Sequence, residues 1–135
     1  MPHLLPPLRL VGADVLTSDG FTREPVDVLN GQIVACAAGS VVDLTGYWLL
    51  PGIIDLHGDG FERHLSPRPT APFDKARGLA SVAGELAANG ITTAWLAQSW
   101  SWEGGFRSGT AATALLEALD RARGDLLADI RVQIR

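Results

Sequence analysis

Hydrophobic and polar positions alternate in short runs over the first fifty residues, and turn-forming residues separate the runs. This pattern is typical of β-strands joined by tight turns. Asn30-Gly31 is the clearest turn, because an Asn-Gly pair between two apolar runs is a strong hairpin signal. The pattern therefore predicts a small antiparallel, sandwich-like β-subdomain over residues 1–50. Its predicted strands cover residues 9–16, 26–29, 32–36, 41–44 and 47–50.

The pattern changes in the second part of the chain to longer segments of alternating type. Ile53, Ile54 and Leu56 predict a strand buried on both faces, and residues 91–98 predict a second strand. Apolar residues at helical spacing follow each strand, and Asp74 is the expected N-cap of the first helix. A third strand is predicted from Ile130. This order predicts an α/β domain with a parallel sheet over residues 51–135.

Composition limits the class of protein. The chain has 135 residues, of which 47% are hydrophobic and 19% are charged, so it can form a packed globular core. A net charge of −4 without a basic block argues against nucleic acid as a partner. No apolar run approaches the roughly 20 residues that span a membrane, and the first residues do not resemble a signal peptide. We expect a soluble cytoplasmic protein in which the single cysteine, Cys36, is a small core residue.

The candidate chemistry lies where the first predicted strand of the second domain ends. His57 and Asp59 are two residues apart, so their side chains point to the same side of an extended chain. One nitrogen and one hard oxygen suit a divalent metal, and zinc, manganese and iron all accept this mixed set. The alternative is a hydrogen-bonded turn, which an isolated His-x-Asp sequence forms more often. We predict a metal site at His57 and Asp59, with zinc as the first expectation.

Residues 50–59, Leu-Pro-Gly-Ile-Ile-Asp-Leu-His-Gly-Asp, resemble the first barrel strand of the amidohydrolase superfamily, whose usual His-x-His motif here reads His-x-Asp. Residues 67–69 (Pro-Arg-Pro), residues 90–94 and the Trp-rich residues 99–103 resemble the branch found in bacterial phosphonate metabolism, the ribose 1-methylphosphonate 5-triphosphate diphosphatases. The resemblance implies an incomplete TIM-like (β/α)8 barrel, because a complete barrel needs about 250 residues. We therefore expect the chain to be the N-terminal fragment of a longer protein.

The resemblance also implies an activity and a set of substrate contacts. The parent enzyme would be a metal-dependent hydrolase that releases pyrophosphate from a phosphorylated small molecule, and Arg63, His64 and Arg68 would bind this substrate. The alternative for the two arginines is pairing with surface carboxylates. His64 has three open roles, which are substrate contact, acid, and hydrogen bonding within its own loop. The sequence identifies no catalytic base, and His57 and Asp59 are two ligands where catalytic zinc needs at least three, so we expect the fragment alone to bind metal weakly and to be inactive.

Two other functions stay open. An amidohydrolase of this type could attack a C–N bond, as a cyclic amidase or a deacylase does. A non-catalytic fragment could instead bind a partner, or another copy of itself as a homo-oligomer, through exposed strand edges. The loop over residues 99–108 carries Trp100 and Trp102, which would form either a lid over the site or a cover for the barrel rim.

Overall fold

The structure, a computed structural model, describes residues 5–68 and 72–135. Pro69, which belongs to the Pro-Arg-Pro segment, lies outside the described residues. The chain divides into two compact units, of which the first ends at Pro51 and the second begins at Gly52. No helix in the described ranges is long and apolar enough to cross a membrane.

The described part of the first unit contains seven short strands in two small sheets. The strands are β1 (Leu8–Val11), β2 (Asp14–Thr17), β3 (Gly20–Thr22), β4 (Val26–Leu29), β5 (Gln32–Val34), β6 (Ser40–Asp43) and β7 (Trp48–Leu49). One sheet has the order β5-β4-β1-β6, and the other has the order β3-β2-β7.

The prediction of a purely antiparallel subdomain is wrong, because each sheet contains one parallel pair. β1 runs parallel to β6, and β2 runs parallel to β7. The predicted strand over residues 9–16 is interrupted at Gly12, whose φ of 81° lies in the left-handed region that favours glycine. Its two halves therefore join different sheets. The strands on either side of Thr45-Gly46 also belong to different sheets, so they do not form a hairpin.

The hairpin at Asn30-Gly31 is confirmed. Both residues have positive φ, 52° and 76°, as a type I′ turn requires, and β4 pairs antiparallel with β5 across the turn. On the other side of β4, Arg9 donates to the carboxylate of Asp27 at 3.1 Å, and Asp27 is only 4% exposed. This ion pair joins β1 to β4 at the centre of the sheet. Cys36 is exposed because β5 ends two residues earlier, so the prediction that it lies in the core is wrong.

The second unit alternates strands and helices in the predicted order. Its elements are β8 (Ile53–Gly58), α1 (Glu62–Leu65), α2 (Lys75–Ala88), β9 (Ile91–Gln98), α3 (Gly109–Ala122) and β10 (Asp129–Ile134). The three strands form one parallel sheet in the order β10-β9-β8. The short helix α1 and two single 3-10 turns, Gly105–Arg107 and Arg123–Asp125, have no counterpart in the sequence pattern. The sheet is open over the described ranges, and the eight-stranded barrel stays a prediction.

Helices α2 and α3 begin at capping side chains. Asp74 accepts a hydrogen bond from the N–H of Arg77, as predicted, and Ser108 accepts one from the N–H of Ala111. Gly90, with a φ of 74°, directly follows the C-cap of α2. Both helices bury an apolar face against β9 and β10. The core side chains include Leu79, Val82, Leu96, Leu115, Leu119 and Ile130.

Strand β8 is an edge strand, and the prediction that both of its faces are buried is wrong. Ile53, Ile54 and Leu56 are 56%, 60% and 69% exposed. The helices pack on one side of the sheet, so Ile54 and Leu56, which share the other side, have no covering layer in the part of the chain that the structure describes. An all-parallel sheet normally has both faces covered.

Helix α1 packs closely on α2 at Gly78. A β-carbon on Gly78 would collide with the Leu65 side chain and would lie 2.9 Å from the carbonyl oxygen of His64. Gly84, on the same helix, has open space at its β-carbon position. The absence of a side chain at Gly78 is therefore what permits the contact between the two helices.

Replacing Gly78 with alanine is expected to destabilise the second unit by about 1–3 kcal/mol, because the added methyl group overpacks the contact between α1 and α2. Gly84→Ala is the matched control, since it adds the same group to an open position and should raise stability by up to about 1 kcal/mol. Urea unfolding followed by far-UV circular dichroism measures both effects. Equal effects of the two substitutions would contradict close packing at Gly78.

Candidate functional site

The carboxyl end of β8 holds the predicted metal ligands His57 and Asp59. His57 is the penultimate residue of β8, Asp59 follows the strand, and both residues are exposed. Between Asp55 and Gly58, three steps along β8 match two steps along β9. This mismatch defines a bulge of one residue. The predicted convergence of the two side chains assumes simple alternation, which does not hold through the bulge.

Asp55 fixes the backbone at this bulge. Its Oδ1 accepts a hydrogen bond from the N–H of His57 at 3.0 Å. Its Oδ2 lies 3.0 Å from the position that a β-carbon on Gly58 would occupy. Asp55 is thus a positioning residue for His57. The sequence signal for this role is an aspartate two residues before His57, the spacing of an Asx turn, which a metal-motif interpretation does not use.

The imidazole of His57 contacts the guanidinium group of Arg135, with 3.1 Å between Nε2 and Nη1. Along β10, Ile130 faces the helices and is buried, whereas Arg131 stacks on Trp95 on the uncovered side of the sheet. Arg135 follows β10 at a position that shares the side of Arg131. His57 therefore reaches the uncovered side of the sheet.

His57 and Asp59 fit a divalent metal in ligand type but not in number. Imidazole nitrogen and carboxylate oxygen are suitable donors for zinc, manganese or iron. Within residues 5–68 and 72–135, no group of three or more His, Cys, Asp or Glu side chains is placed to hold a metal. Catalytic zinc takes at least three protein ligands. The described residues therefore offer two metal-type donors here, fewer than catalytic zinc takes, and the metal stays a prediction.

Glu85 of α2 binds both predicted substrate contacts on α1. Its Oε1 accepts from Arg63 Nη2, and its Oε2 lies 2.6 Å from His64 Nε2, which donates because a carboxylate can only accept. The hydrogen bond from His64 and the positive charge of Arg63 lower the pKa of the Glu85 carboxyl below its ordinary value of 4.5. Of the roles left open for His64, the structure shows hydrogen bonding, with Glu85 of α2 as the short side-chain contact and the N–H of His64 donating to the carbonyl oxygen of Phe61.

Arg63 and His64 line a cavity of about 160 Å³ beneath the end of β8. Asp55 contributes a carboxylate to it, and the remaining wall is mostly apolar and includes side chains of α2. The cavity therefore lies on the helix-covered side of the sheet, whereas His57 reaches the uncovered side. The structure does not bring the predicted substrate contacts of α1 together with His57.

Arg68, the third predicted substrate contact, follows α1 and is exposed. No carboxylate of the described ranges lies within ion-pair distance of Arg68. Arg63, in contrast, has its charge balanced by Glu85. Arg68 is therefore the more available of the two arginines for an anionic ligand.

The loop between β9 and α3 is anchored at both ends. The buried Gln98 side chain donates from Nε2 to the carbonyl oxygen of Phe106 across the loop at 2.9 Å, a contact that no local sequence signal indicates. The Trp100 ring lies against Gly109, where an added β-carbon would come within 2.7 Å of it. Trp102 is 94% exposed, so it does not cover a rim formed by the described strands.

Glu85→Gln is expected to weaken the contact between α1 and α2, because a neutral amide cannot accept charge-assisted hydrogen bonds from both Arg63 and His64. The lowered pKa of Glu85 means that its stabilising contribution is present above pH 4.5 and is lost as the pH falls through the folded-state value. The wild-type chain should therefore lose stability more steeply than Glu85→Gln as the pH falls below 4.5. Urea unfolding at a series of pH values measures the difference.

The matched control for this experiment is Glu117→Gln on α3. Glu117 is exposed and takes part in no ion pair within the described ranges, so this variant should keep the wild-type acid dependence. Raised salt should reduce the effect at Glu85, since exposed pairs are screened. Identical acid dependence in the wild type and Glu85→Gln would show that the cluster does not stabilise the folded chain.

Comparisons with known proteins connect the chain to one named enzyme, although no protein-family model matches it. The chain is 36% identical over 73 residues to alpha-D-ribose 1-methylphosphonate 5-triphosphate diphosphatase of Escherichia coli K12. This match covers 50% of this chain and 19% of the diphosphatase. The crystal structure of an uncharacterized protein has a TM-score of 0.57 at 18% identity, over 95% of this chain and 31% of the other. The chain thus spans less than a third of the length of the diphosphatase and less than a third of the length of the uncharacterized protein.

The two matches support statements of different scope. The sequence match supports a distant, family-level relationship to the diphosphatase, and it suggests a hydrolase related to the amidohydrolase superfamily. The structural match, at low identity, concerns the fold alone.

Proposed function

We propose that this chain supplies the first metal-ligand strand of a hydrolase that releases pyrophosphate from alpha-D-ribose 1-methylphosphonate 5-triphosphate. One observation carries the proposal. His57 and Asp59 stand at the carboxyl end of a parallel strand in a chain that is related to a protein named as this diphosphatase. In (β/α)8 barrels the active site lies at the carboxyl ends of the strands. The position of the pair is thus the one that an incomplete TIM-like barrel requires.

Asp55 positions the predicted ligand His57 without a metal. A divalent metal at this site, with zinc as the first candidate, would lower the pKa of a bound water and polarise the phosphoryl group. His57 would supply one nitrogen and Asp59 one carboxylate oxygen. Asp55 holds the N–H of His57, so the backbone at the ligand is fixed without the metal. Such preorganisation reduces the ordering that ligand binding would otherwise require.

A triphosphate carries several negative charges, so the substrate needs cations besides the metal. Arg68 is exposed and lies outside the ion pairs of the described ranges, so its guanidinium group can contact a phosphate. Arg63 and His64 share Glu85, and in this proposal they reach the substrate only when that contact opens. Arg68 is therefore the first of the three substrate contacts to test.

The second candidate function is that of a non-catalytic interaction segment, which the exposed apolar strand β8 favours. Ile53, Ile54 and Leu56 are all more than half exposed. An edge strand also presents unpaired backbone groups to another chain. In this case the purified chain associates with another copy or with a partner protein. A monomeric chain in analytical ultracentrifugation would remove the main support for this candidate.

Metal content and pyrophosphate release together test the diphosphatase proposal. We expect the chain, when extended through a complete barrel, to bind about two metal ions and to release pyrophosphate. The 135-residue chain alone should bind metal weakly and be inactive. In the extended protein, His57→Ala and Asp59→Asn should each lower metal affinity by at least about tenfold and abolish release. Asp120→Asn, which changes an exposed carboxylate of α3, is the matched control and should retain both properties.

Two outcomes of this experiment would contradict the proposal. If the extended protein binds metal but leaves the triphosphate intact, the substrate is wrong, and release of ammonia or amine from cyclic amides then tests the C–N alternative. If His57→Ala and Asp59→Asn both retain the metal, these residues do not form the site.

A further inference from the structure

The side chain of Arg135 contacts the predicted ligand His57, and two hydrogen bonds hold the backbone of Arg135 in place. Its N–H donates to the carbonyl oxygen of Gln98 at 3.1 Å, and its carbonyl oxygen accepts from the N–H of Trp100 at 2.7 Å. These two bonds extend the pairing of β10 with β9 by one residue beyond Ile134. The Arg135 side chain thus projects from a fixed position at the carboxyl end of the sheet.

The contact determines which nitrogen of His57 carries a hydrogen. A guanidinium group donates hydrogen bonds and does not accept them, so Nε2 of His57 accepts from Nη1 of Arg135. The Nε2 lone pair therefore points at the guanidinium group, and the ring hydrogen is on Nδ1. A metal would coordinate a nitrogen lone pair of this kind. Arg135 thus stands beside the coordination position of the predicted ligand.

Arg131, four residues earlier on the same side of the sheet, has a different environment. Arg131 Nη2 lies 2.8 Å from Asp129 Oδ2, and its guanidinium group lies 4.7 Å from the ring centre of Trp95. Arg135 is exposed, and no carboxylate side chain of the described ranges lies within ion-pair distance of it. A neutral imidazole takes one of its donors and leaves its charge unbalanced. The charge of Arg135 is therefore available to an anion.

We propose that Arg135 binds a phosphoryl or phosphonyl oxygen of the ligand at the His57 site. This contact rests on the proposed function and names one further residue of the same site. The planar guanidinium group matches two oxygens of such an anion through two parallel hydrogen bonds. The anion competes with Nε2 of His57 for the donors of the guanidinium group.

Methylphosphonate is the probe for this contact, because it carries the anionic group of the proposed substrate without a metal-chelating triphosphate. It is titrated into the metal-free chain, and nitrogen NMR of the His57 ring follows Nε2. We expect a saturable shift of the Nε2 signal as Arg135 leaves it. Arg135→Gln should weaken methylphosphonate binding by about tenfold, since a charge-assisted pair is lost.

Arg121→Gln is the matched control, since it removes the same charge from an exposed position in the last turn of α3. This variant should bind methylphosphonate as the wild type does. A His57 signal that does not respond to methylphosphonate would overturn the proposal, and so would equal affinities of the wild type and Arg135→Gln. Equal affinity for acetate would overturn the assignment to phosphorus oxyanions.

The outcome is separable from the test of pyrophosphate release. If release fails while Arg135→Gln still weakens methylphosphonate binding, the proposed substrate is wrong and the anion contact stands. If release occurs and Arg135→Gln leaves the KM for the triphosphate unchanged, the diphosphatase stands and Arg135 is not its anion contact.

Discussion

The burial of two helices against one face of a three-stranded parallel sheet is the constraint on which the second unit depends. Leu79 of α2, Leu115 of α3 and Leu96 of β9 are almost inaccessible to solvent and belong to one core. Burial of each such side chain contributes about 1.5–3 kcal/mol relative to exposure. Since each strand must present apolar side chains to the helices, its alternate side chains are directed to the opposite face. The face of the sheet to which a side chain points then limits the residues that it can contact.

The candidate functional residues divide according to this constraint. Helix α1 packs on α2, so Arg63 and His64 meet Glu85 on the side of the helices. His57 lies on the uncovered side of the sheet and contacts Arg135. The two sides also differ in electrostatics, because Glu85 balances the charge of Arg63, whereas no carboxylate of the described ranges balances Arg135. The cationic side chain of Arg135 is therefore available to an anion on the same side of the sheet as His57.

Sequence signals predict the elements that depend on near neighbours. The cap at Asp74 and the strand over residues 91–98 both follow from a few adjacent positions, and both are confirmed. Contacts between distant residues are not predicted, because no spacing rule shows that Glu85 meets Arg63, 22 residues earlier, or that Arg135 meets a histidine 78 residues earlier. At the site, the donor types of His57 and Asp59 follow from the residues themselves, and their role as metal ligands stays a prediction. The geometry of the pair does not follow from the sequence, since a bulge beginning after Asp55 interrupts the alternation that the prediction assumes.

The predicted ligand His57 and the uncovered apolar side chains of β8 lie on the same side of the second unit. Parallel sheets are normally covered on both faces, so the exposed Ile54 and Leu56 require a second layer to become buried. His57 and Arg135 project toward the same space. A layer that covers the two apolar side chains therefore comes within reach of His57 and can carry the ligands that the described residues lack. If such a layer completed the predicted metal site, a bound metal would stabilise the covered state.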